Sequence, residues 1–192
     1  MTRRQLLSLS AAAIANLSAQ TSGEPRNLSY PLRMVNGSLT SPNFLFLRSH
    51  FSEPEISLED WRLVVQGRVD RPQELSFADL LESRTTEVEA VLECAGNTAG
   101  GSAVSNARWQ GVTLAEILKS ASLQRGAKFV MLEGADQGRL LSGASALPYT
   151  QLLPIEKCLD PGSLVAFKIN DRFLPRGNGF PARAIFPGWY AM

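Results

Sequence analysis

The sequence contains a single histidine, His50, and only two cysteines, Cys94 and Cys158, among its 192 residues. A zinc site built from several cysteine and histidine ligands is therefore not available. A serine hydrolase is also excluded, because no Gly-x-Ser-x-Gly motif is present and any triad would have to use His50. The glycine-containing stretch 96–101 lacks the lysine that follows the glycines of a phosphate-binding loop.

Charge of either sign is scarce and balanced. The chain has 19 basic and 18 acidic side chains and a formal net charge of +1. This balance does not favour a nucleic-acid-binding or membrane-surface protein. No apolar run reaches the roughly 20 residues that a membrane-spanning helix needs. A hydrophobic fraction of 44% and a charged fraction of 19% predict one ordinary globular domain.

The N-terminus has the pattern of an export signal. Arg3 and Arg4 precede a short apolar stretch that ends near Ala19, and this order predicts an export signal over residues 1–19. The stretch from Thr2 to Leu7 resembles the twin-arginine signal, whose pathway exports proteins that are already folded. We therefore expect a periplasmic or otherwise extracytoplasmic protein. The alternative is an ordinary N-terminus with two adjacent arginines.

The remainder predicts an arm followed by one domain. Residues 20–43 are rich in turn formers and predict an extended arm on the domain surface. Ser76 and Thr113 have the spacing of helix caps, so each predicts the start of a short helix. Strands are predicted at 61–67, 86–92, 128–133 and 162–170. Because no regular βαβ rhythm is present, the pattern predicts a mixed, strand-rich α+β domain over residues 44–192.

Cys94 is the strongest candidate for chemistry. Alternation over 86–92 predicts a half-buried strand that gives way at Cys94 to a glycine-containing loop, where a reactive group on a rigid scaffold is open to a ligand. A single thiolate suits a soft metal, whose other ligands would have to come from a cofactor. Two alternatives remain open for Cys94: a small buried hydrophobe, and a disulfide with Cys158.

The C-terminal stretch 174–189 is a second candidate site. It combines glycines and prolines with Arg176 and Arg183. This composition fixes an irregular backbone and leaves amides and guanidinium groups available to bind an anion.

Five ordered blocks carry a resemblance to a known family. In the one-letter sequence they are FLRSH at 46–50, LECAGN at 92–97, ARWQGV at 107–112, KINDRFLP at 168–175, and GFPAR at 179–183 followed by PGW at 187–189. Together they resemble the molybdopterin-binding domain of the sulfite oxidase family, from about residue 44 to the end of the chain.

The resemblance implies a role for individual residues. Cys94 would be the only protein ligand of molybdenum, with two dithiolene sulfurs supplied by the pyranopterin. Arg48 would face the substrate oxyanion, and His50 and Arg183 would hold the pterin and its phosphate. Three further residues are implied to line the cofactor pocket: Asn97, Arg108 and Arg176.

The implied protein is an exported molybdenum–molybdopterin oxidoreductase. It would transfer an oxo group to or from a small sulfur oxyanion and pass electrons to a cytochrome or another acceptor. A guanidinium beside the metal would lower the cost of bringing an anion into a partly desolvated pocket. The alternatives are a sulfane dehydrogenase, a sulfoxide reductase, or a non-catalytic binding module of the same fold.

The sequence departs from the family pattern in three places. No tyrosine precedes the Gly-Ala-Ser segment at 143–145, so the family's tyrosine is missing or is supplied elsewhere. The family's Val-Lys-Trp stretch and dimerisation domain are not found before Met192, so we expect a C-terminally incomplete domain. Asn178 stands where the family often has histidine, and an amide cannot become charged.

Overall fold

Two five-stranded sheets, one two-stranded sheet and three short α-helices form the fold over the residues that the computed structural model describes, which are 6–10, 25–35, 37–142 and 144–192. Side chains are described from residue 25 onward. The helices are α1 (Phe77–Glu82), α2 (Leu114–Ser120) and α3 (Ile155–Cys158). Short 3-10 turns cover Leu32–Met34, Pro42–Phe44 and Arg176–Asn178. Strand content far exceeds helix content, which confirms the predicted strand-rich α+β class.

The first sheet has five strands in the order β5-β4-β1-β8-β9. Its strands are β1 (Leu6–Ser10), β4 (Arg62–Gly67), β5 (Gln73–Ser76), β8 (Phe129–Gly138) and β9 (Leu147–Pro154). The central strand, β1, is antiparallel to β4 and parallel to β8. It lies inside the range predicted as the export signal, and the other residues of that range, 1–5 and 11–19, are outside the described residues.

The second sheet is antiparallel, in the order β11-β10-β7-β6, with β12 also paired to β10. Its strands are β6 (Thr86–Glu93), β7 (Val104–Thr113), β10 (Leu164–Ile169), β11 (Arg172–Phe173) and β12 (Arg183–Ile185). The long β6–β7 pairing matches the alternation that predicted a half-buried strand, because Ala90 and Leu92 are buried whereas Glu89 and Val91 are exposed.

Both predicted helix starts are capped. The Ser76 hydroxyl accepts a hydrogen bond from the Asp79 backbone N–H at 3.2 Å, and the Asp79 carboxylate accepts one from the Ser76 N–H at 2.7 Å. Thr113 accepts from the Glu116 N–H at 3.2 Å. Because each cap satisfies donors that the first helical turn cannot pair internally, even helices of six or seven residues have a defined start.

Two apolar clusters form the core. The larger one joins the first sheet to α1, α2 and β10, and the smaller one packs around β6 and β7. The larger cluster includes Leu63, Val65, Leu80, Leu118, Val130 and Phe167. Apolar faces of both sheets are therefore covered, which holds the strand ends in fixed relative positions.

The predicted arm, 20–43, is described from residue 25 apart from residue 36. Its strand β2 (Asn27–Leu28) pairs with β3 (Leu47–Arg48). Farther along, the buried Thr40 donates its backbone N–H to the Asn106 carbonyl at 2.8 Å. The arm is thus anchored to the domain at both ends of its described part.

None of the helices in the described part of the chain is long and apolar enough to cross a membrane.

Gly111 of β7, which pairs with Ala166 of β10, has no room for a side chain. A Cβ atom built there would overlap the carbonyl oxygen of Val165 on the neighbouring strand. Both sheet strands are held from two sides, so the backbone has little freedom to move away.

We expect Gly111→Ala to lower the free energy of unfolding by about 1–3 kcal/mol, as overpacked core sites do. Urea denaturation followed by circular dichroism measures this. Gly96→Ala is the matched control, because a Cβ at Gly96 meets only the Cys94 Sγ, at an ordinary contact distance of 3.8 Å. Equal stability of the two variants would contradict the packing argument.

Candidate active site

A cavity of about 540 Å³ lies where five separate segments of the chain meet. The segments are the residues after β3, the loop after β6, a kink in β8, the start of β9, and the C-terminal stretch. Six side chains with polar or ionisable groups line this cavity together: Arg48, His50, Cys94, Asp136, Tyr149 and Arg183. Most of the sequence-predicted site residues therefore come together although they are far apart in the chain.

Cys94 follows directly on β6 and is half-buried. Its backbone N–H donates to the Ala103 carbonyl at 3.0 Å, and its carbonyl accepts from the Asn97 N–H at 2.9 Å. These bonds close the loop 95–102 at its base and turn the chain immediately after the thiol. The strand-end position predicted for Cys94 is what the structure has.

Both cysteines are free, so the disulfide alternative is not realised. Cys158 is completely buried, and burial raises the pKa of its thiol to about 12. A thiol in that state is neither a nucleophile nor a metal ligand at neutral pH. Among the described residues, no group of three or more His, Cys, Asp or Glu could hold a metal ion. Cys94 is thus the soft donor at the cavity.

Arg48, the last residue of β3, and His50, two residues farther on, both line the cavity. The Arg48 guanidinium donates to the Asn27 side-chain oxygen at 3.4 Å, and the Ser49 N–H donates to the Arg26 carbonyl at 2.9 Å. The His50 ring lies against Tyr149, with ring centroids 5.2 Å apart. The N-terminal arm therefore holds this segment in place from outside the cavity.

Arg183 is the half-buried cation of the site. Its Nε and Nη2 donate to the Met192 carbonyl at 3.0 and 2.7 Å, and its Nη1 donates to the Asn178 carbonyl at 3.4 Å. Burial lowers the pKa of Arg183 to about 10, and Tyr149 acts in the opposite direction. The guanidinium is still charged at neutral pH. An anion bound at this position would accept hydrogen bonds from the Arg183 guanidinium, either in place of the Met192 carbonyl or together with it.

Arg176 lines the mouth of the cavity and is exposed. It donates to the Pro54 carbonyl at 3.2 Å and lies 3.8 Å from the Glu55 carboxylate. Such an exposed pair contributes little to stability, so the side chain is free to turn toward a ligand.

Tyr149 is the site residue that the sequence analysis missed. It stands on β9, seven residues after Ser142, and its hydroxyl accepts a hydrogen bond from Gln151 at 2.8 Å. Tyr149 follows the Gly-Ala-Ser segment at 143–145 instead of preceding it. The alternation of Tyr149 and Gln151 shortly before the helix that begins at Ile155 is the signal that could have found it.

Asp136 is the second unpredicted group in the cavity. The β8–β9 pairing changes register between Glu133 and Gln137, and this irregularity brings Gly134, Ala135 and Asp136 to the cavity wall. Burial raises the pKa of the Asp136 carboxyl, while His50 acts weakly in the opposite direction. Bulges of this kind often re-aim side chains beside a functional site.

Two predicted residues lie outside the cavity. The Asn97 amide donates to Glu93 at 2.9 Å and its oxygen accepts from the Ala103 N–H at 3.0 Å, so Asn97 shapes the loop that follows Cys94. Arg108 sits on β7 and pairs with the exposed Asp171 at 3.4 Å. Neither side chain lines the cavity. Their assignment as cofactor-binding residues stays a prediction.

The donor set of the cavity fits a molybdenum–pterin cofactor. It offers a half-buried thiol for a soft metal and the cations Arg48, Arg176 and Arg183 for a phosphate. Glu53 also lines the cavity, and its Oε1 is buried without a hydrogen-bond partner among the described residues. An unmatched acceptor of this kind suits the N–H groups of a pterin ring.

Comparison with known proteins gives concordant matches. The oxidoreductase molybdopterin binding domain family matches residues 50–192. An NADPH nitrate reductase of Aspergillus niger is 32% identical over 190 residues, covering 88% of this chain and 21% of that protein. The mitochondrial sulfite oxidase of Drosophila melanogaster is 31% identical over 185 residues, covering 87% of this chain and 31% of that protein.

A solved structure shares the fold. The sulfane dehydrogenase SoxCD from Paracoccus pantotrophus superposes with a TM-score of 0.70 and 23% identity, over 92% of this chain and 49% of that chain. The chain spans between a fifth and a third of the length of the two enzymes named above.

Asp136 makes a pH-dependent contribution to stability whose sign can be tested. Because its pKa is raised in the folded state, the stability it contributes is present below its unfolded pKa and is lost as pH rises through the folded value. We expect Asp136→Asn to be more stable than the unmodified protein near pH 7, with a difference that shrinks toward pH 4. Denaturant unfolding at both pH values measures it.

Asp79 is the control of opposite sign. Hydrogen bonds from the Ser76 side chain and backbone lower the pKa of Asp79. Its contribution is therefore present at neutral pH and is lost in acid. Asp79→Asn should be less stable near pH 7. If both variants shift stability in the same direction, the assigned burial of Asp136 is wrong.

Proposed function

The chain belongs to the oxidoreductase molybdopterin-binding domain family, and from this premise we propose that it is the cofactor-binding domain of an exported molybdenum oxidoreductase acting on a small oxyanion. One observation carries the proposal: the Cys94 thiol and the Arg48 guanidinium, 46 residues apart in sequence, line the same cavity. A soft metal ligand and an anion-binding cation are thereby available to one bound molecule.

Each residue has a part that its surroundings support. Cys94 would hold the molybdenum, and Arg183 and Arg176 would neutralise the phosphate of the pterin. The molybdenum–pterin group, when bound, supplies two-electron oxygen-atom transfer, which no protein side chain can perform. Arg48 would bind the substrate oxyanion and orient it toward Cys94, since a guanidinium offers paired donors in a planar fork.

Tyr149 and the apolar walls would complete the site. The Tyr149 hydroxyl accepts from Gln151, so its own proton is available to an oxyanion in the cavity. Phe46, Trp61 and Phe180 contribute apolar surface that displaces water and strengthens the charged contacts.

Sulfite oxidation is our first assignment of the reaction. The family's tyrosine, which the sequence lacks before its Gly-Ala-Ser segment, would be supplied by Tyr149, which lines the cavity. Nitrate reduction is the second, because nitrate reductases are among the relatives at 32% identity. Both substrates are planar or pyramidal oxyanions of similar size, so the cavity charges suit either.

We further propose that the enzyme is exported and that it passes its electrons to a separate carrier. The pattern of residues 1–19 supports twin-arginine export, which would place the enzyme outside the cytoplasm. A cytochrome or another one-electron carrier would then accept the electrons. The fold that this chain shares with a sulfane dehydrogenase makes that reaction the nearest alternative within the class.

Metal content separates an enzyme from an inert binding module. We expect the full chain, produced with its N-terminus in a molybdopterin-forming host, to contain about one molybdenum per protein, and Cys94→Ala to contain none. Cys158→Ala is the matched control and should keep its metal, since Cys158 is buried away from the cavity. Elemental analysis and pterin fluorescence measure both components. Native protein without molybdenum would remove the proposal.

Kinetics test the anion-binding role of Arg48. Loss of a charge-assisted hydrogen bond costs about 1.5–3 kcal/mol, so we expect Arg48→Gln to lower kcat/KM for the true substrate by about 10- to 150-fold. Arg172→Gln, on an exposed strand, should change nothing. Sulfite-dependent acceptor reduction and viologen-dependent nitrate reduction are measured in parallel. Turnover of nitrate alone selects the second assignment, and insensitivity to Arg48→Gln contradicts the role of this residue.

A further inference from the structure

The N-terminal arm brings two polar side chains to the segment that carries Arg48. Strand β2 pairs with β3, so Asn27 lies directly opposite Arg48, and the Ser49 N–H donates to the Arg26 carbonyl at 2.9 Å. The family match covers residues 50–192, and it therefore assigns no role to the arm. The side chains of Arg26 and Asn27 each contact a residue that lines the cavity.

The arm is fixed at a second point beside the cavity. The Ser102 hydroxyl, in the loop that follows Cys94, donates to the Ser29 hydroxyl at 3.1 Å. Because the arm is held both by the β2–β3 pairing and by this loop, its side chains at positions 26 and 27 are offered to the cavity from a defined backbone.

Asn27 holds one N–H group of the Arg48 guanidinium. The Arg48 Nη1 donates to the Asn27 Oδ1 at 3.4 Å. Residues directly opposite each other on an antiparallel pair carry their side chains on the same face, where they can interact. The acceptor is a neutral amide, so it fixes the direction of the guanidinium without neutralising its charge. The remaining N–H groups of Arg48 stay available to an anion.

Arg26 holds one oxygen of the Glu53 carboxylate. The Arg26 Nη1 donates to the Glu53 Oε2 at 3.4 Å, and the Glu53 side chain is 17% exposed. The other oxygen, Oε1, is buried and has no hydrogen-bond partner among the described residues. The cation offsets a negative charge that would otherwise oppose an anion in the cavity, and Oε1 is the oxygen left for a ligand. Since the Arg26 side chain is 56% exposed, the pair adds little to the stability of the fold.

We propose that Asn27 and Arg26 are positioning residues of the candidate active site. Asn27 fixes the direction in which the Arg48 guanidinium meets the substrate oxyanion, and Arg26 holds Glu53 with its Oε1 free for the N–H groups of the pterin. The inference rests on the proposed function. It makes the arm a part of the site that sets ligand affinity, in addition to a support of the fold.

A double-mutant cycle in the molybdenum-loaded full chain tests Asn27. Loss of one hydrogen bond should make Asn27→Ala raise KM by about 3- to 10-fold with kcat unchanged, for the substrate that the unmodified enzyme turns over. In an Arg48→Gln background the same substitution should have no further effect, because the guanidinium on which Asn27 acts is gone. Asn43→Ala, at an exposed asparagine of the same arm, is the matched control and should change nothing.

Pterin retention tests Arg26 without using turnover. We expect Arg26→Ala to lose pterin about 3- to 10-fold faster during dialysis than the unmodified protein, as measured by pterin fluorescence. In a Glu53→Gln background Arg26→Ala should cause no further change. Arg33→Ala removes an equal charge from an exposed position of the same arm and should leave the rate unchanged. Equal losses from Arg26→Ala and Arg33→Ala would show an effect of net charge and would overturn the role of Arg26.

Hydrogen exchange of the Ser49 amide separates a positioning role from undocking of the arm. This N–H donates to the backbone carbonyl of residue 26, which both substitutions leave in place. We expect its protection to be unchanged in Asn27→Ala and Arg26→Ala. Effects that add in the double variants, or that occur only when this protection is lost, overturn the inference.

Failure of the inference and failure of the proposed function give different results. An unmodified protein without molybdenum overturns the proposed function and this inference with it. A loaded, active protein whose KM and pterin retention are insensitive to Asn27→Ala and Arg26→Ala overturns this inference alone.

Discussion

The ladder between β6 and β7 is the constraint on which the site depends. Its register runs without a break from Thr86 paired with Gly111 to Glu93 paired with Val104. Cys94 is the first residue past the ladder, and its N–H continues the pairing to Ala103. The thiol is therefore positioned by a long series of backbone hydrogen bonds, and the following loop can vary in shape without moving it. On the opposite edge of β7, close packing of β10 against Gly111 holds this strand in place.

The three arginines that line the cavity differ in how far they are exposed to solvent. Arg183 is half-buried and held by backbone carbonyl oxygens, whereas Arg48 and Arg176 are exposed and held by weak polar contacts. A fixed cation at the base and movable cations at the mouth suit a ligand that enters from solvent and is then retained. Asp136 also lines the cavity, and in its ionised form its negative charge lowers the positive potential that the three arginines produce.

Local patterns predicted the elements well, because their causes are local. The alternation over 86–92 and the caps at Ser76 and Thr113 depend on residues within one strand or one turn, and each matches the structure. Cys94, Arg48, His50, Arg176 and Arg183 were assigned to one site by resemblance, and all five line the cavity. Asn97 and Arg108 stand in the same motifs but bond to neighbouring strands and loops, which no motif discloses.

The remaining features are set by pairing between distant segments. Asp136 reaches the cavity through a register shift against β9, and Tyr149 reaches it because β9 pairs with β8 at all. The place of Leu6–Ser10 between β4 and β8 likewise depends on strands more than fifty residues away. Periodicity identifies a strand but not its neighbours, so these positions were beyond a reading of the sequence.

Among the strands that the structure describes, β9 lies at the edge of the first sheet and pairs only with β8. Proline at positions 148 and 154 limits further pairing along its free side. Tyr149 and Gln151 are carried on this strand, so this wall of the cavity belongs to the edge of the sheet. Substitutions there disturb one neighbouring strand instead of two, so the cavity wall can change with less effect on the ladder that positions Cys94.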